Sequence, residues 1–288
     1  MKAIKFLAFV AGVALLGSAC SSPSPPSEIE ACNAEVEVRL DCDLSPPEEE
    51  GSRSPLVLET QEDFDALCEQ DCGYAEWITI NVQDGIQVLE GPDILREVGR
   101  LVIRPNREDT EVIRGFHGIE KLDRLEIGGT GSLLPKVVRI EILDQVESIE
   151  ILNLFSLSGV EEIPLPKNLR FVTGPEQQSE LNIYRANLIE NLAPLSQLEI
   201  ISALVLRSND SLKTLEGIEH IEEMDGLTID GNPELYTLEH LYSLRRLNRL
   251  SIDESPKIRR CDVDALLEQL EEQPIIGRLE GLSEDPCE

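Results

Sequence analysis

The stretch LTIDGNPEL, residues 227–235, joins a short apolar alternation to an Asn-Pro pair. Read alone, it is a loop fit to hold a site. Read as one copy of a repeat, it sets the architecture. With Leu227 as origin, apolar residues follow at Ile229, Leu235, Leu238, Leu241, Leu244 and Leu247, and Leu250 restarts the series 23 residues on. The same offsets recur from Leu204, through Leu206, Leu212, Leu215, Ile218, Ile221 and Met224. They recur from Leu181, through Ile183, Ile189, Leu192, Leu195, Leu198 and Ile201, and from Ile78, with Pro92 at one usually apolar place. Series from Leu101 and Leu125 fit with one inserted residue each. A series from Ile149 starts on the template with Ile151, Leu157, Val160 and Ile163, and the next begins 32 residues later at Leu181. The nine-residue excess reads as an insertion over 172–180. Self-similarity at a fixed period is the signature of a repeat solenoid. The expected fold is mainly β, with about eight rungs of 23–24 residues starting at Ile78, Leu101, Leu125, Ile149, Leu181, Leu204, Leu227 and Leu250.

Leu-x-Ile at the head of a rung puts both side chains on one face of a short strand. The rest of the rung does not read as an α-helix. Apolar residues at every third position step round a helix by about 300° and smear over its circumference. Pro92, Pro194, Gly115 and Gly217 fall in the same region of other rungs, where a helix interior penalises both residue types. Each rung is therefore expected to be extended or turn-like, with its apolar offsets facing inward. Asn232 stands five places after Leu227, and Asn106 and Asn209 hold the equivalent places. An inward Asn at a bend can satisfy backbone groups that leave the ladder. Its repetition points to a structural role rather than a catalytic one.

One rung buries too little apolar surface to offset the entropy of ordering it, so such an array needs closed ends. Thr60-Gln-Glu-Asp63 resembles a capping box and predicts a helix through DFDALCEQ. CDVDALLEQLEEQ from Cys261 predicts a second helix, stopped by Pro274. Six cysteines sit near these ends: Cys32, Cys42, Cys68, Cys72, Cys261 and Cys287. An even number in an exported chain predicts three disulfides, with the pairing open. Cys287 is placed to return to Cys261. A metal site at Cys68 and Cys72 is the rival reading, without a second pair at zinc-ligand spacing.

MKAIK carries Lys2 and Lys5, residues 6–16 are almost wholly apolar, and Gly17-Ser18-Ala19 precede Cys20. The apolar run is too short to span a bilayer, and the order of charge, apolar run and small residues is that of an export signal. An ordinary secretory signal is one reading. The cysteine directly after the small residues resembles a bacterial lipoprotein signal, with Gly17 where that family most often has Leu. The resemblance implies cleavage before Cys20, diacylglycerol on its thiol, and a membrane anchor. Ser21 is not the aspartate that holds members of the family at the inner membrane, so the resemblance implies the bacterial outer membrane. SSPSPPSE then reads as an extended tether. The expected organisation is a signal over 1–19, a lipidated tether over 20–30, a cysteine-containing cap over 31–76, the repeats over 77–260 and a helical cap over 261–288.

Met224-Asp-Gly-Leu-Thr-Ile229 and Val98-Gly-Arg-Leu-Val-Ile103 resemble the turns of receptor L-domains, a kind of leucine-rich repeat. The resemblance covers 77–260 and implies a right-handed parallel coil that recognises other molecules and has no catalytic machinery.

Acids outnumber bases by 56 to 25, and the net charge of -31 repels nucleic acid and anionic membrane surfaces alike. GGTGS over 128–132 lacks the Gly-Lys-Ser/Thr ending of a phosphate loop. No Asp-x-Asp-x-Asp-Gly run suggests calcium, and no nucleophile is set near His117, His220 or His240 in sequence. No enzyme, metal or cofactor is expected. Binding is left. Places one and three after each rung start form two outward columns. They are Thr79, Val102, Glu126, Glu150, Asn182, Val205, Thr228 and Ser251, with Asn81, Arg104, Leu152, Tyr184, Arg207, Asp230 and Asp253 beside them. Tyr184, Arg185 and Arg207 gather next to the insertion, and Tyr and Arg are common interface anchors. The expected function is a lipid-anchored envelope protein that binds a protein or a glycan. A structural lipoprotein without a ligand is the alternative, and an envelope hydrolase the third.

Overall fold

The computed structural model describes residues 27–29, 39–43, 55–70, 72–105, 108–129, 137–174 and 179–286. Among these the chain is mainly β. Eleven strands form one sheet, and every neighbouring pair in it is parallel. From one edge it runs Ile275–Leu279, Arg246–Asp253, Glu223–Asp230, Ala203–Arg207, Glu180–Tyr184, Ile151–Phe155, Lys121–Ile127, Glu97–Arg104, Cys72–Asn81 and Arg39–Asp43. Leu56–Leu58 also pairs with Cys72–Asn81. A second parallel sheet holds Ser27–Ile29, Ile86–Gly91, Val112–Gly115 and Arg139–Ile142. A third holds Ser148–Ile149, Phe171–Val172 and Ile200–Ile201. The α-helices among the described residues are Gln61–Cys68 and Arg260–Gln269.

Parallel neighbours need long crossovers, which are usually helical. Between strands Cys72–Asn81 and Arg246–Asp253 the described parts of the crossovers are bends, short strands and the 3-10 turns Ala193–Gln197 and Glu239–Leu241; the helices Gln61–Cys68 and Arg260–Gln269 serve only the crossovers at the two ends. The three-residue apolar spacing explains this. Ile189, Leu192, Leu195, Leu198 and Ile201 are all buried, which a regular α-helix with that spacing would not allow.

The register is set by the paired apolar places. Ile78, Leu101, Leu125, Leu152, Leu181, Leu204, Leu227 and Leu250 stand side by side across the sheet. None is more than 1% exposed. The step is 23 residues to Leu101, 24 to Leu125, 27 to Leu152 and 29 to Leu181, then 23 each time to Leu250. Two steps thus exceed the expected 23–24 residues.

The cause is a correction at the fourth repeat. It starts at Leu152, not at Ile149. Ile149 pairs with Val172, and Val172 with Ile201, in the three-stranded sheet. Leu152 is buried, so it is a core residue and not the outward one expected. Two apolar pairs, Ile149-x-Ile151 and Leu152-x-Leu154, both fit the local pattern. Only the second buries both side chains, since Ile151 stays half-exposed. From Leu152 the template runs unbroken through Leu154, Val160, Ile163, Pro166, Leu169 and Val172. The excess before Leu181 shrinks accordingly, to six residues beyond the three that separate Ile201 from Leu204.

One place past the strands, the chain turns through a left-handed conformation in repeat after repeat. Ser156 (φ 59), Arg185 (φ 56), Ser208 (φ 53), Gly231 (φ 65) and Glu254 (φ 46) occupy this place. The next place holds the buried polar column. Asn209 Oδ1 accepts from the Ala186 N–H at 3.0 Å, Asn232 Oδ1 from the Asn209 N–H at 3.2 Å, and Ser255 Oγ from the Asn232 N–H at 3.3 Å. Asn209 Nδ2 donates to the Ile183 carbonyl and Asn232 Nδ2 to that of Leu206. The column satisfies backbone groups freed by the turn.

The sheet extends past both expected limits of the repeats. Strands Arg39–Asp43 and Leu56–Leu58 precede them and Ile275–Leu279 follows them. Ser27–Ile29, within the stretch expected to be tether, pairs with Ile86–Gly91. Thr60 and Asp63 form the capping box of the first helix, which buries Phe64 and Leu67. The second helix starts at Arg260 and gives way to extended chain at Leu270, four residues before Pro274.

Candidate functional site

One face of the large sheet supplies the core, and the alternate residues line the other. Thr79 and Val102, expected to be outward and open, are buried. The open part of this face lies further along. There Phe155, Tyr184, Arg207, Asp230 and Asp253 stand in register on successive strands. Asn153, Asn182, Val205, Thr228 and Ser251 form the parallel column two residues back on the same strands.

Tyr184 and Arg207 are therefore direct neighbours, as their shared offset suggested. The Arg185 guanidinium lies 4.9 Å from the Tyr184 ring centroid, a cation–π distance. Phe155 was missed, because the shifted start of its repeat put Leu152 in its place. Its ring meets that of Tyr184 edge-on, with centroids 6.3 Å apart and planes at 81°. The two rings make an aromatic corner in a chain with few aromatics.

Beside this corner is a hollow of about 570 Å³, lined by Asn153, Phe155, Glu180, Asn182, Tyr184, Arg207 and Asp230, among others. A second hollow of about 300 Å³ shares Glu180, Val205 and Arg207 with it and continues past Thr228 and Ser251 toward Ile275. With strands ~4.8 Å apart, the face from Asn153 to Ser251 spans about 19 Å.

The polar groups here are incompletely matched. Asn182 Nδ2 donates to Asn153 Oδ1 and to Glu180 Oε1, both at 2.7 Å. Asn182 Oδ1, Asn153 Nδ2 and the Tyr184 hydroxyl have no partner among the described residues. Arg207 Nε and Asp230 Oδ2 are 3.9 Å apart, too far for a hydrogen bond. Elsewhere on the sheet, cross-strand pairs close to hydrogen-bond distance: Arg278 with Asp253 at 3.0 Å and Arg100 with Glu126 at 3.1 Å. The carboxylate of Asp253 holds the Arg278 guanidinium above its usual pKa, first through their hydrogen bond.

No histidine lines either hollow. His117 Nδ1 is 3.3 Å from Asp144, His220 bonds the Leu198 carbonyl at 2.5 Å, and His240 is 3.7 Å from Glu219. Among the described residues, no group of three or more His, Cys, Asp or Glu is arranged to hold a metal, and no helix is long and apolar enough to cross a membrane. Cys68, Cys72 and Cys261 lie among the described residues, Cys68 and Cys261 in the two helices and Cys72 at the start of strand Cys72–Asn81. Cys20, Cys32 and Cys287 lie outside the described residues, as does the middle of the insertion, 175–178; Cys42 is described only by its place in strand Arg39–Asp43.

Compared with known proteins, the chain matches no family model and no curated protein.

Proposed function

We propose that this chain is a lipid-anchored protein of the bacterial cell envelope that recognises a protein or glycan without catalysing a reaction. In this reading the repeats wind as a right-handed solenoid of the leucine-rich-repeat or receptor L-domain kind. Residues 1–19 direct export, and Cys20 carries the lipid that holds the chain at the outer membrane. Cys68, Cys72 and Cys261 are in this reading disulfide-bonded, as suits an exported chain, since cytosolic thiols stay reduced. We also propose that Cys261 pairs with Cys287.

One observation carries the binding role. The aromatic corner of Phe155 and Tyr184 sits in a hollow where Asn153 Nδ2, Asn182 Oδ1 and the Tyr184 hydroxyl have no partner among the described residues, and where Arg207 and Asp230 stand 3.9 Å apart. Half-buried aromatic rings beside an exposed Arg207 are the kind of group that anchors interfaces, and unmatched donors and acceptors await a ligand's. The test is capture from envelope extracts by the wild type and by Tyr184→Ala/Arg207→Ala. The double variant is expected to lose the specific partner. Equal recovery of every captured species would remove the binding role from this hollow. Fatty-acid labelling of the wild type, absent in Cys20→Ser, checks the anchor.

A further inference from the structure

The geometry points to a neutral glycan as the ligand of the Phe155–Tyr184 hollow, bound by its hydroxyls and by the apolar face of a sugar ring. This inference rests on the reading of the hollow as the recognition site. Charge comes first. The chain is strongly acidic, yet Glu180 and Asp230 at the hollow are balanced by Arg207 and the adjoining Arg185. A cationic ligand would meet two arginines and an anionic one two carboxylates, so neither sign gains from complementarity. A neutral ligand pays no such penalty.

Hydrogen-bonding chemistry comes second. A hydroxyl both donates and accepts. The hollow offers donors and acceptors side by side on planar side chains. The bond from Asn182 Nδ2 to Asn153 Oδ1 leaves one amide donor on Asn153 and one amide acceptor on Asn182, on adjacent strands, and the Arg207 guanidinium stands beside the Asp230 carboxylate across their 3.9 Å gap. Adjacent hydroxyls of a sugar ring can satisfy both members of each couple at once. A peptide backbone in extended form would instead seek the edge of the sheet, where main-chain groups are open, and the hollow lies on its face. The near-perpendicular rings of Phe155 and Tyr184 give a wall against which the C–H face of a pyranose can lie. The second hollow continues the same face from Arg207 toward Ile275, which suits linked sugars better than a single one.

The test uses the full-length lipidated protein in detergent against immobilised neutral gluco-, manno-, galacto- and N-acetylglucosamine oligosaccharides. At least one is expected to bind. Phe155→Ala and Tyr184→Ala are each expected to weaken it about tenfold or more, as for anchor residues. Tyr184→Phe, which keeps the ring, should cost less. Raising salt from roughly 50 to 500 mM should change the affinity less than about twofold, because no net charge is screened. Unchanged circular dichroism and melting confirm that each variant is folded. In parallel, an envelope extract is treated with periodate or with proteinase K before capture. Capture that survives protease and is lost to periodate, which cleaves vicinal diols, supports the inference. Capture that is lost to protease and survives periodate, yet still depends on Tyr184, overturns the glycan and leaves the recognition site standing. Binding confined to acidic saccharides and steeply salt-dependent also overturns it. No capture that depends on Tyr184 in any arm overturns both.

Discussion

The side-chain oxygen of Asn232 accepts from both the backbone N–H and the side-chain amide of Asn209, one repeat earlier, at 3.2 Å each. Asn232 in turn donates to the carbonyls of Leu206 and Asp230 at 3.0 and 3.1 Å. It is fully buried. One amide thus closes the turn of its own repeat and ties it to its neighbour.

Replacing Asn232 by Ala should leave the Asn209 N–H buried without a partner. The cost of one such group is about 1–3 kcal/mol, with further loss at the two carbonyls. Urea unfolding should show a lower midpoint, and the Asn209→Ala/Asn232→Ala double variant should cost less than the sum of the singles, because they share a bond. Additive effects would mean that the two side chains act separately.

Leu152→Ala should cost about 2–5 kcal/mol as a core deletion. Ile151→Ala, on the half-exposed side, should cost under about 1 kcal/mol. Denaturant unfolding of the two variants reads the register directly. The reverse order would place Ile149 and Ile151, not Leu152 and Leu154, at the start of the repeat.

The left-handed turn gives a pair of opposite substitutions. Glu254 pays for a positive φ that glycine adopts freely, so Glu254→Gly should be neutral or raise stability by up to about 1 kcal/mol. Gly231→Ala imposes the strain that Glu254 now bears and should cost about 1 kcal/mol. Melting temperatures should move in opposite directions. A loss for Glu254→Gly as large as that for Gly231→Ala would show that backbone strain does not govern this place.

The Asp63 carboxyl is held below the ordinary carboxylate range by the backbone N–H of Glu59, then by that of Thr60. Its folded pKa lies under its unfolded one, near 3.9. Its contribution is therefore present above about pH 4 and lost as pH falls through the folded value. Hydrogen exchange in the helix Gln61–Cys68 should quicken over that acid range. Asp63→Asn should remove the acid step and leave the helix less protected at neutral pH. An unchanged acid step in the variant would assign it to another carboxylate.

Seven of the eight repeat starts, most of the inward residues and both helices were legible in the sequence; the start at Leu152 and the burial of Thr79 and Val102 were not. Leu227 and Ile229 alternate because one face of a strand is buried, and the three-residue spacing after them excludes an α-helix. Thr60 and Asp63 announced a capping box. Asn232 was readable as bend chemistry because Asn209 repeats it. Half of the site was readable too, since Tyr184 and Arg207 share an offset in adjacent, gap-free repeats. Phe155 was not, although a signal was present: the template runs without a gap from Leu152 to Val172, but only if Ile149 and Ile151 are given up as the start.

Sequence by itself thus determined which residue types must be buried and with what period, because burial pressure acts on each repeat locally and leaves its mark there. Tertiary structure alone decided which of two apolar pairs, three residues apart, enters the sheet. Both satisfy the local pattern. Only the backbone ladder to Leu125 on one side and Leu181 on the other separates them, and that choice turns Phe155 outward beside Tyr184.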